Sequence, residues 1–166
     1  MPLVAFSALP DDARLWVFGS EAQLSAESES TLLAAVDEYL DGWRAHGSPL
    51  TVARDWRDAR FLAIAVDQRD EAASGCSLDA LFRILHGLEK ELGSSLLGNA
   101  RVYYRAAGGA IRVTDRVGFA ELSQQGTVDA ATRVFDLSVQ TVGDWQQRFE
   151  LPAASAWHGG LLMSTV

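Results

Sequence analysis

Lysine and cysteine are each represented by a single residue in this chain of 166 residues. The chain has one lysine, Lys90, and thirteen arginines. Schiff-base chemistry, or a nuclease mechanism that needs a lysine, would therefore have to use that one position. Cys76 has no partner for an intramolecular disulfide, and cysteine-based zinc or iron–sulfur sites lack their ligands. The pattern Gly-x-x-x-x-Gly-Lys-Ser/Thr does not occur, which excludes nucleotide binding of the P-loop type.

Long apolar runs are missing as well. The longest covers residues 61–66, which is six residues, whereas a membrane-spanning helix needs about 20. The first residues show neither the basic region nor the apolar stretch of a secretory signal. Because the chain also has only one cysteine, we expect a protein of the cytoplasm that does not span a membrane.

Positive charge is scarce relative to negative charge. Lysine and arginine total 14 against 22 aspartate and glutamate residues, for a net charge of −8. Such a surface repels phosphate backbones and anionic lipids, so we expect neither nucleic acid nor a membrane as partner. The three histidines show no H-x-x-x-H or H-E-x-x-H spacing, and no EF-hand pattern occurs. We therefore expect no metal and no cofactor, and a small molecule or a protein as partner.

The apolar spacing indicates an α+β fold. It predicts, in chain order, a strand at 15–18, a helix from Ser25 to His46, strands at 51–56 and 61–66, a helix at 78–92, and a hairpin from 101–105 and 111–114. The order β-α-β-β-α-β is that of a ferredoxin-like core, an antiparallel sheet with two helices on one face. This order predicts a fold class and carries no function with it.

We expect a single domain over residues 1–166. Its ferredoxin-like core would cover about 12–114, and a C-terminal extension at 115–166 would pack on that core. In the extension the pattern predicts a short helix at 119–125, a strand at 133–137 and irregular structure from 140 onward. An edge strand of the sheet, or the acidic face, could pair two copies into a homodimer.

The candidate catalytic residues are centred on Cys76. Residues 73–79 lie where a polar loop enters the second predicted helix, so the thiol would sit beside unpaired backbone N–H groups that favour a thiolate nucleophile. Asp79 lies three residues on, where a capping-box acid reaches back, although its charge also opposes ionisation of the thiol. His158 could act as the base if the C-terminal segment folds back beside this helix.

The same junction suggests a binding pocket. The candidate ligand-binding residues are Ser74, Gly75 and Ser77 at the junction, Asp67 at the end of the preceding strand, Arg83 on the polar side of the helix, and Trp157 near the C-terminus. Gly75 would permit close approach of a ligand. The plainer alternative is a helix capped by its serines, with Cys76 inert and Asp67 a solvated loop acid.

Three segments in combination resemble a protein family of bacterial, especially Bacteroidetes-type, genomes. They are residues 43–50 (Trp-Arg-Ala-His-Gly-Ser-Pro-Leu), 73–79 (Ala-Ser-Gly-Cys-Ser-Leu-Asp) and 152–158 (Pro-Ala-Ala-Ser-Ala-Trp-His). Many members carry the name ABC transporter ATPase, but this chain has no Walker A motif, no ABC signature-like motif and too little length for that class. The resemblance implies a common fold and a shared site. It directs attention to His46, Cys76, Trp157 and His158 without assigning them roles.

Functions from different classes remain open at this point. The preferred hypothesis is a non-catalytic domain that binds a small molecule or a protein, because no complete catalytic constellation follows from the spacing. The alternative is a thiol-dependent enzyme that uses Cys76 at a helix N-terminus. A structural role in a homodimer is the third. Exposure of Cys76 is the property that separates the first two.

Overall fold

The computed structural model describes residues 3–45, 47–69, 72–98 and 100–162. The predicted mixture of helices and antiparallel strands is confirmed. In chain order the elements are β1 (Arg14–Gly19), α1 (Ala26–Asp41), β2 (Arg44–Ala45), β3 (Ser48–Pro49), β4 (Thr51–Arg57), β5 (Phe61–Asp67), α2 (Gly75–Leu92), β6 (Arg101–Arg105), β7 (Ile111–Asp115), α3 (Arg116–Gln124), β8 (Arg133–Phe135), α4 (Val142–Arg148) and β9 (Glu150–Pro152).

These elements divide between two compact units. The first contains the described residues up to Gly98 together with Ser138–Gln146, and the second contains residues 100–137 and 147–162. The single-domain organisation expected for 1–166 stays a prediction. None of the helices in the described part of the chain combines the length and the apolar composition that crossing a bilayer requires.

The first unit is built on a three-stranded antiparallel sheet in the order β1-β5-β4. The central strand β5 is buried on both faces, as its continuous apolar run predicts. Both helices pack against the face of β5 that carries Leu62, Ile64 and Val66. The buried side chains that they contribute to this cluster are Leu32, Val36 and Leu40 from α1 and Leu81, Leu85 and Leu92 from α2. Two helices on one face of this sheet are therefore confirmed.

The ferredoxin-like core is not confirmed. The hairpin of β6 and β7, expected to supply the fourth strand of that core, belongs to a second sheet in the order β7-β6-β8-β9. In this sheet Tyr103 of β6 is paired with Phe135 of β8, and Val134 of β8 is paired with Leu151 of β9. One strand partner of β6 is thus β7 of the predicted hairpin, but the other, β8, and its neighbour β9 come from the segment predicted to be an extension.

Three boundaries also differ from the prediction. Helix α1 ends at Asp41, where Gly42 is the C-cap, and the short ribbon of β2 and β3 follows; His46 itself lies outside the described residues. Helix α2 begins at Gly75, one turn earlier than the apolar pattern indicates, because Ser74 caps it. Helix α4 occupies part of the region predicted to be irregular, and its apolar side chains Val142 and Trp145 are buried.

The second unit has a core rich in rings. Val102 and Tyr104 of β6, Phe119 of α3 and Val134 of β8 form one buried cluster. Helix α3 is capped by Asp115, whose Oδ1 accepts a hydrogen bond from the N–H of Gly118 at 2.7 Å. Further rings are buried outside this cluster, among them Tyr103 of β6 and the neighbouring Phe135 and Phe149, whose centroids lie 5.5 Å apart.

Candidate functional site

The start of α2 is fixed by two serines. Ser74 is the N-cap, in an extended conformation, and its Oγ accepts a hydrogen bond from the N–H of Ser77 at 3.2 Å. The Ser77 hydroxyl donates in return to the carbonyl of Ser74 at 2.8 Å. The first of these bonds satisfies an N–H group that a helix N-terminus otherwise leaves unpaired, and the second adds to the bond that the Ser74 carbonyl accepts from the N–H of Leu78. The Cys76 side chain projects from this ordered turn and is exposed.

A groove of about 580 Å³ lies beside this turn, between the end of α1 and the start of α2. We call it the α1–α2 groove. Of the residues predicted for the site, it is lined by Ser74, Cys76 and Ser77. The lining residues that the sequence reasoning missed are Glu38, Tyr39, Gly42, Trp43 and Arg44, from the last turn of α1 and the segment that follows it.

Tyr39 joins the two helices at the floor of the groove. Its hydroxyl donates a hydrogen bond to the carbonyl of Ser77 at 2.8 Å. Burial raises the pKa of Tyr39, and the nearby Trp43 indole and Arg83 guanidinium oppose this shift without cancelling it. Tyr39 is therefore a neutral hydrogen-bond donor at neutral pH. It contributes a fixed phenol and an aromatic face to the groove.

Trp43 forms the aromatic wall next to Tyr39. The two ring centroids lie 5.9 Å apart, with the planes tilted by 44°. Only 2% of Trp43 is exposed, and its indole N–H has no hydrogen-bond partner. A buried polar group without a partner costs about 1–3 kcal/mol. The indole N–H is itself shielded from water, so an acceptor reaches this donor only if the groove wall rearranges.

The remaining residues predicted at the junction do not line the groove. Gly75 is exposed, and a Cβ added to it would meet open space, so no close approach of backbone requires a glycine there. Asp79 is exposed on the next turn of α2. Arg83 is also exposed, but it is close enough to Tyr39 to influence the pKa of that phenol.

Asp67, at the end of β5, is used by its own loop. Both of its carboxylate oxygens accept hydrogen bonds from the Arg69 guanidinium, at 2.6–3.0 Å. This pairing is the largest cause of the lowered pKa of Asp67. The carboxylate is therefore ionised and already occupied by a cation within the same loop.

His158 and Trp157 belong to the second unit, whereas Cys76 belongs to the first. His158 is fully buried, with its ring stacked on that of Trp157 at 3.8 Å between centroids. Neither of its ring nitrogens has a hydrogen-bond partner. Burial lowers the pKa of His158 to about 4; the charge of Asp136 opposes this shift and that of Arg116 adds to it. At neutral pH the imidazole is therefore neutral.

Trp157 is the exposed side of this stacked pair. It is 39% exposed, and the guanidinium carbon of Arg116 lies 5.0 Å from its ring centroid. This is the geometry of a cation–π contact. The pairing of Cys76 with His158 as nucleophile and base, and the binding role of Trp157, stay predictions.

The groups that line the α1–α2 groove include the charged residues Glu38 and Arg44 as well as the thiol, the serines and the rings. In the portion of the chain that the structure describes, no group of three or more His, Cys, Asp or Glu side chains is placed to hold a metal ion. Within that same portion, no hydrogen bond connects the Cys76 sulfur to another side chain. The groove offers an exposed thiol, two serines and two aromatic rings, which is a set suited to holding a small molecule.

The missed residues had a visible signal in the sequence. Tyr39 and Trp43 are four residues apart at the end of an amphipathic helix, a spacing that also fits two core residues. The interpretation as core residues fits Trp43, which is buried, and fits Tyr39 only in part, since Tyr39 is half-buried. Whether the two rings line the groove at the start of α2 depends on how α1 and α2 pack together. A single sequence does not determine that packing.

Comparisons with known proteins give no relative from which to infer a role. No family model matches the chain, no curated protein matches it, and no solved structure matches it. The function must therefore be inferred from the geometry of the site alone.

Proposed function

We propose that the protein binds a small molecule in the α1–α2 groove without transforming it. The observation that carries this proposal is the lining of the groove, where two aromatic rings, two serines and an exposed thiol border one concave surface. A ligand with a carbonyl or carboxylate oxygen would in addition recover the free energy that the unpaired indole N–H of Trp43 costs, provided that the wall opens enough to expose this buried donor. The volume of about 580 Å³ lies within the range of small-molecule sites.

The ligand that fits this groove is flat and partly apolar. Tyr39 and Trp43 offer ring faces, Ser74 and Ser77 offer small polar contacts, and the Cys76 thiol lies on the rim. Aromatic side chains bury a large area and prefer stacked or edge-on contact with other rings. We therefore assign to the groove an aromatic or heteroaromatic molecule that carries an acceptor oxygen.

Cys76 gives a direct way to test this groove. A library of small aromatic fragments bearing a disulfide is equilibrated with the protein under mild reduction, and the mixed disulfides at Cys76 are measured by mass spectrometry. We expect a few fragments to be captured on the order of tenfold more than the rest, since tenfold corresponds to only about 1.4 kcal/mol of contact with the groove. Trp43→Phe keeps a ring but removes the N–H, and it should reduce capture of fragments with an acceptor oxygen.

The matched control is the double variant Cys76→Ser with Asp79→Cys. It keeps one exposed thiol on the first turns of α2 but moves it away from the groove lining. Reaction of both thiols with iodoacetamide corrects for their intrinsic reactivity. If the moved thiol captures the same fragments to the same extent, the groove contributes nothing and the proposal is wrong.

A thiol-dependent enzyme that uses Cys76 is the alternative. Its exposure in a groove is what such an enzyme needs. The described surroundings of the sulfur, however, supply no hydrogen-bonded base, and the histidine predicted to serve as base is buried in the second unit. The alkylation rate of Cys76 should be measured against pH. If it saturates at a pH well below the pH at which the rate of a free thiol saturates, the enzyme is favoured over the binding protein.

Cellular context follows from charge and composition. We propose a cytoplasmic protein for which nucleic acid is not a partner, because its net charge of −8 repels phosphate backbones. A protein partner and a homodimer remain proposals of the same standing, and sedimentation velocity of the purified chain distinguishes monomer from dimer.

A further inference from the structure

A second groove lies toward the opposite end of α2 from Cys76, roughly 20 Å along the helix axis at 1.5 Å per residue. Its volume is about 840 Å³, and we call it the C-terminal groove of α2. The residues of its lining that matter here are Glu21 and Ala22 after β1, His86 and Lys90 on α2, and Ser94 and Ser95 in the following turn. The proposed function makes no use of it.

The walls of this groove are held in place by hydrogen bonds between loops. The buried Ser20 hydroxyl lies 2.7 Å from the hydroxyl of Ser94 and 2.6 Å from the carbonyl of Ala22. The Arg60 guanidinium donates to the carbonyl of Glu21 at 2.6 Å, and the N–H of Glu21 donates to the carbonyl of Ser95 at 3.0 Å. Both sides are thus fixed before any ligand arrives, which reduces the ordering cost of binding.

His86 is oriented by Glu89 on the α2 side. One carboxylate oxygen of Glu89 accepts hydrogen bonds from the N–H groups of Leu96 and Leu97, at 2.6 and 3.1 Å, and the other lies 2.8 Å from Nδ1 of His86. Burial raises the pKa of Glu89, but the hydrogen bonds from Leu96, Leu97, His86 and Ser95 together lower it to about 2. Because Glu89 is ionised, it accepts the hydrogen bond from Nδ1–H of His86, and this contact fixes the orientation of the ring.

Besides Glu89, which is held by its own hydrogen bonds, two opposite charges line the groove without pairing. Glu21, on the loop after β1, and Lys90, on α2, are both exposed. Neither side chain has an ion-pair partner among the residues that the structure describes. Lys90 is also the single lysine of the chain. A carboxylate and an ammonium that share one groove but do not meet leave a gap between them with a positive and a negative end.

We propose that the C-terminal groove of α2 binds a small zwitterion with an ammonium and a carboxylate group, such as a free amino acid. The ligand carboxylate pairs with Lys90 and the ligand ammonium pairs with Glu21, while the oriented ring of His86 lines the same groove. The volume of about 840 Å³ leaves room for a side chain beyond the two charged groups.

A ligand with only one charge fits less well. A simple anion would face Glu21, and the carbonyl end of the α2 dipole also repels it. A simple cation would face Lys90. A zwitterion places each of its charges against the opposite one, which is the only arrangement that pairs both wall charges at once.

The test is a nuclear magnetic resonance titration of the full chain with each of the twenty common amino acids. We expect at least one of them to shift the resonances of His86, Lys90 and Ser94 in a saturable manner. Glu21→Gln and Lys90→Gln should each weaken its binding on the order of tenfold, because each removes one charge pair. Glu91→Gln, an exposed carboxylate next to Lys90 but outside the groove lining, should leave binding unchanged.

Two blocked forms of the same amino acid assign the contacts. The amide, which lacks the carboxylate, should bind weakly to the natural chain and lose nothing further in Lys90→Gln. The N-acetyl form, which lacks the ammonium, should behave in the same way toward Glu21→Gln. If none of the twenty shifts these resonances, or if Glu91→Gln weakens binding as much as the groove variants do, the proposal is wrong.

Discussion

The two units of the molecule are stabilised by different kinds of side chain. The first packs aliphatic residues of α1 and α2 on a sheet, and its buried cluster consists mostly of leucine, valine and isoleucine. The second relies on rings, with Tyr104 and Phe119 edge-to-face at 5.8 Å and His158 against Phe119 at 6.1 Å. The stability that buried aliphatic side chains contribute does not depend on pH, whereas the stability that a buried imidazole contributes does. The two units should therefore respond differently to truncation and to acid.

The largest effect is expected from truncation in the aliphatic unit. Leu85 on α2 is fully buried between the helices and the sheet, so Leu85→Ala should lower the free energy of unfolding by about 2–5 kcal/mol. Urea denaturation followed by circular dichroism measures this loss. Leu88→Ala, on the same helix but only partly buried, is the control and should cost clearly less. A loss below about 0.5 kcal/mol for Leu85→Ala would contradict the packing of α2 described above.

The next effect concerns acid and the second unit. The pKa of His158 is lowered from 6.5 to about 4 by burial, with Asp136 and Arg116 as the charged groups that influence it. Between pH 6.5 and about 4, the unfolded chain therefore binds a proton at His158 that the folded unit does not bind. The stability that His158 contributes is complete above pH 6.5 and is lost as the pH falls towards 4.

Urea denaturation at several pH values, followed by resonances assigned to each unit, measures this dependence. His158→Leu should remove the decline between pH 6.5 and 4 in the second unit, and the exposed His86→Gln serves as the matched control. The stability that Glu89 contributes is lost between its ordinary pKa of 4.5 and about 2, so it falls mostly below the range of His158, and it belongs to the first unit. A decline that persists unchanged in His158→Leu would show that another group is responsible.

The same contrast explains what the sequence could predict. The elements of the first unit follow from short-range signals: Ser25 and Ser74 as N-caps, leucines at helical spacing, and the apolar run of β5. The second sheet does not follow from short-range signals. It joins β6 to β8 over about thirty residues of chain, and β8 to β9 across a helix. Such pairings depend on partners that local periodicity cannot identify.

The residues of the candidate site differ in the same way, because some follow from local sequence signals and others depend on tertiary packing. The cap of α2 and the exposed thiol beside it could be predicted from residues 74–77 alone. Tyr39 and Trp43 could not be assigned to that site, because they reach it only when α1 lies against α2. The burial of His158 likewise depends on α3 and its Phe119, which lie about forty residues earlier in the chain.

A smaller effect is expected from the ion pairs of the second unit. Glu150 accepts two hydrogen bonds from Arg105, at 2.9 and 3.0 Å, and one from Arg133 at 3.4 Å. The pairing with Arg105 is the main reason why the pKa of Glu150 is lowered. Because these groups are partly exposed, Glu150→Gln should cost about 1 kcal/mol in the free energy of unfolding.

High salt should reduce that cost, since it screens exposed charges. Glu121→Gln, an exposed carboxylate on α3 without a charged partner among the described residues, is the control and should change little. An equal loss in both variants, or a loss insensitive to salt, would mean that the Arg105–Glu150 pair does not stabilise the second unit.

The smallest effect on stability should come from Cys76→Ser in the first unit. The thiol is exposed and the cap of α2 is formed by Ser74 and Ser77, so no packing and no hydrogen bond in the described structure depends on the sulfur. The free energy of unfolding should change by less than about 0.5 kcal/mol, as surface substitutions usually do. Ser74→Ala at the cap itself, by contrast, should cost about 1 kcal/mol. This pair of variants separates the helix-capping role of the junction from its binding role. If Cys76→Ser leaves stability unchanged but weakens non-covalent binding of a captured fragment that lacks its disulfide, the residue serves binding alone. If Cys76→Ser destabilises the protein as much as Ser74→Ala does, the thiol is part of the cap, and its exposure says nothing about a ligand.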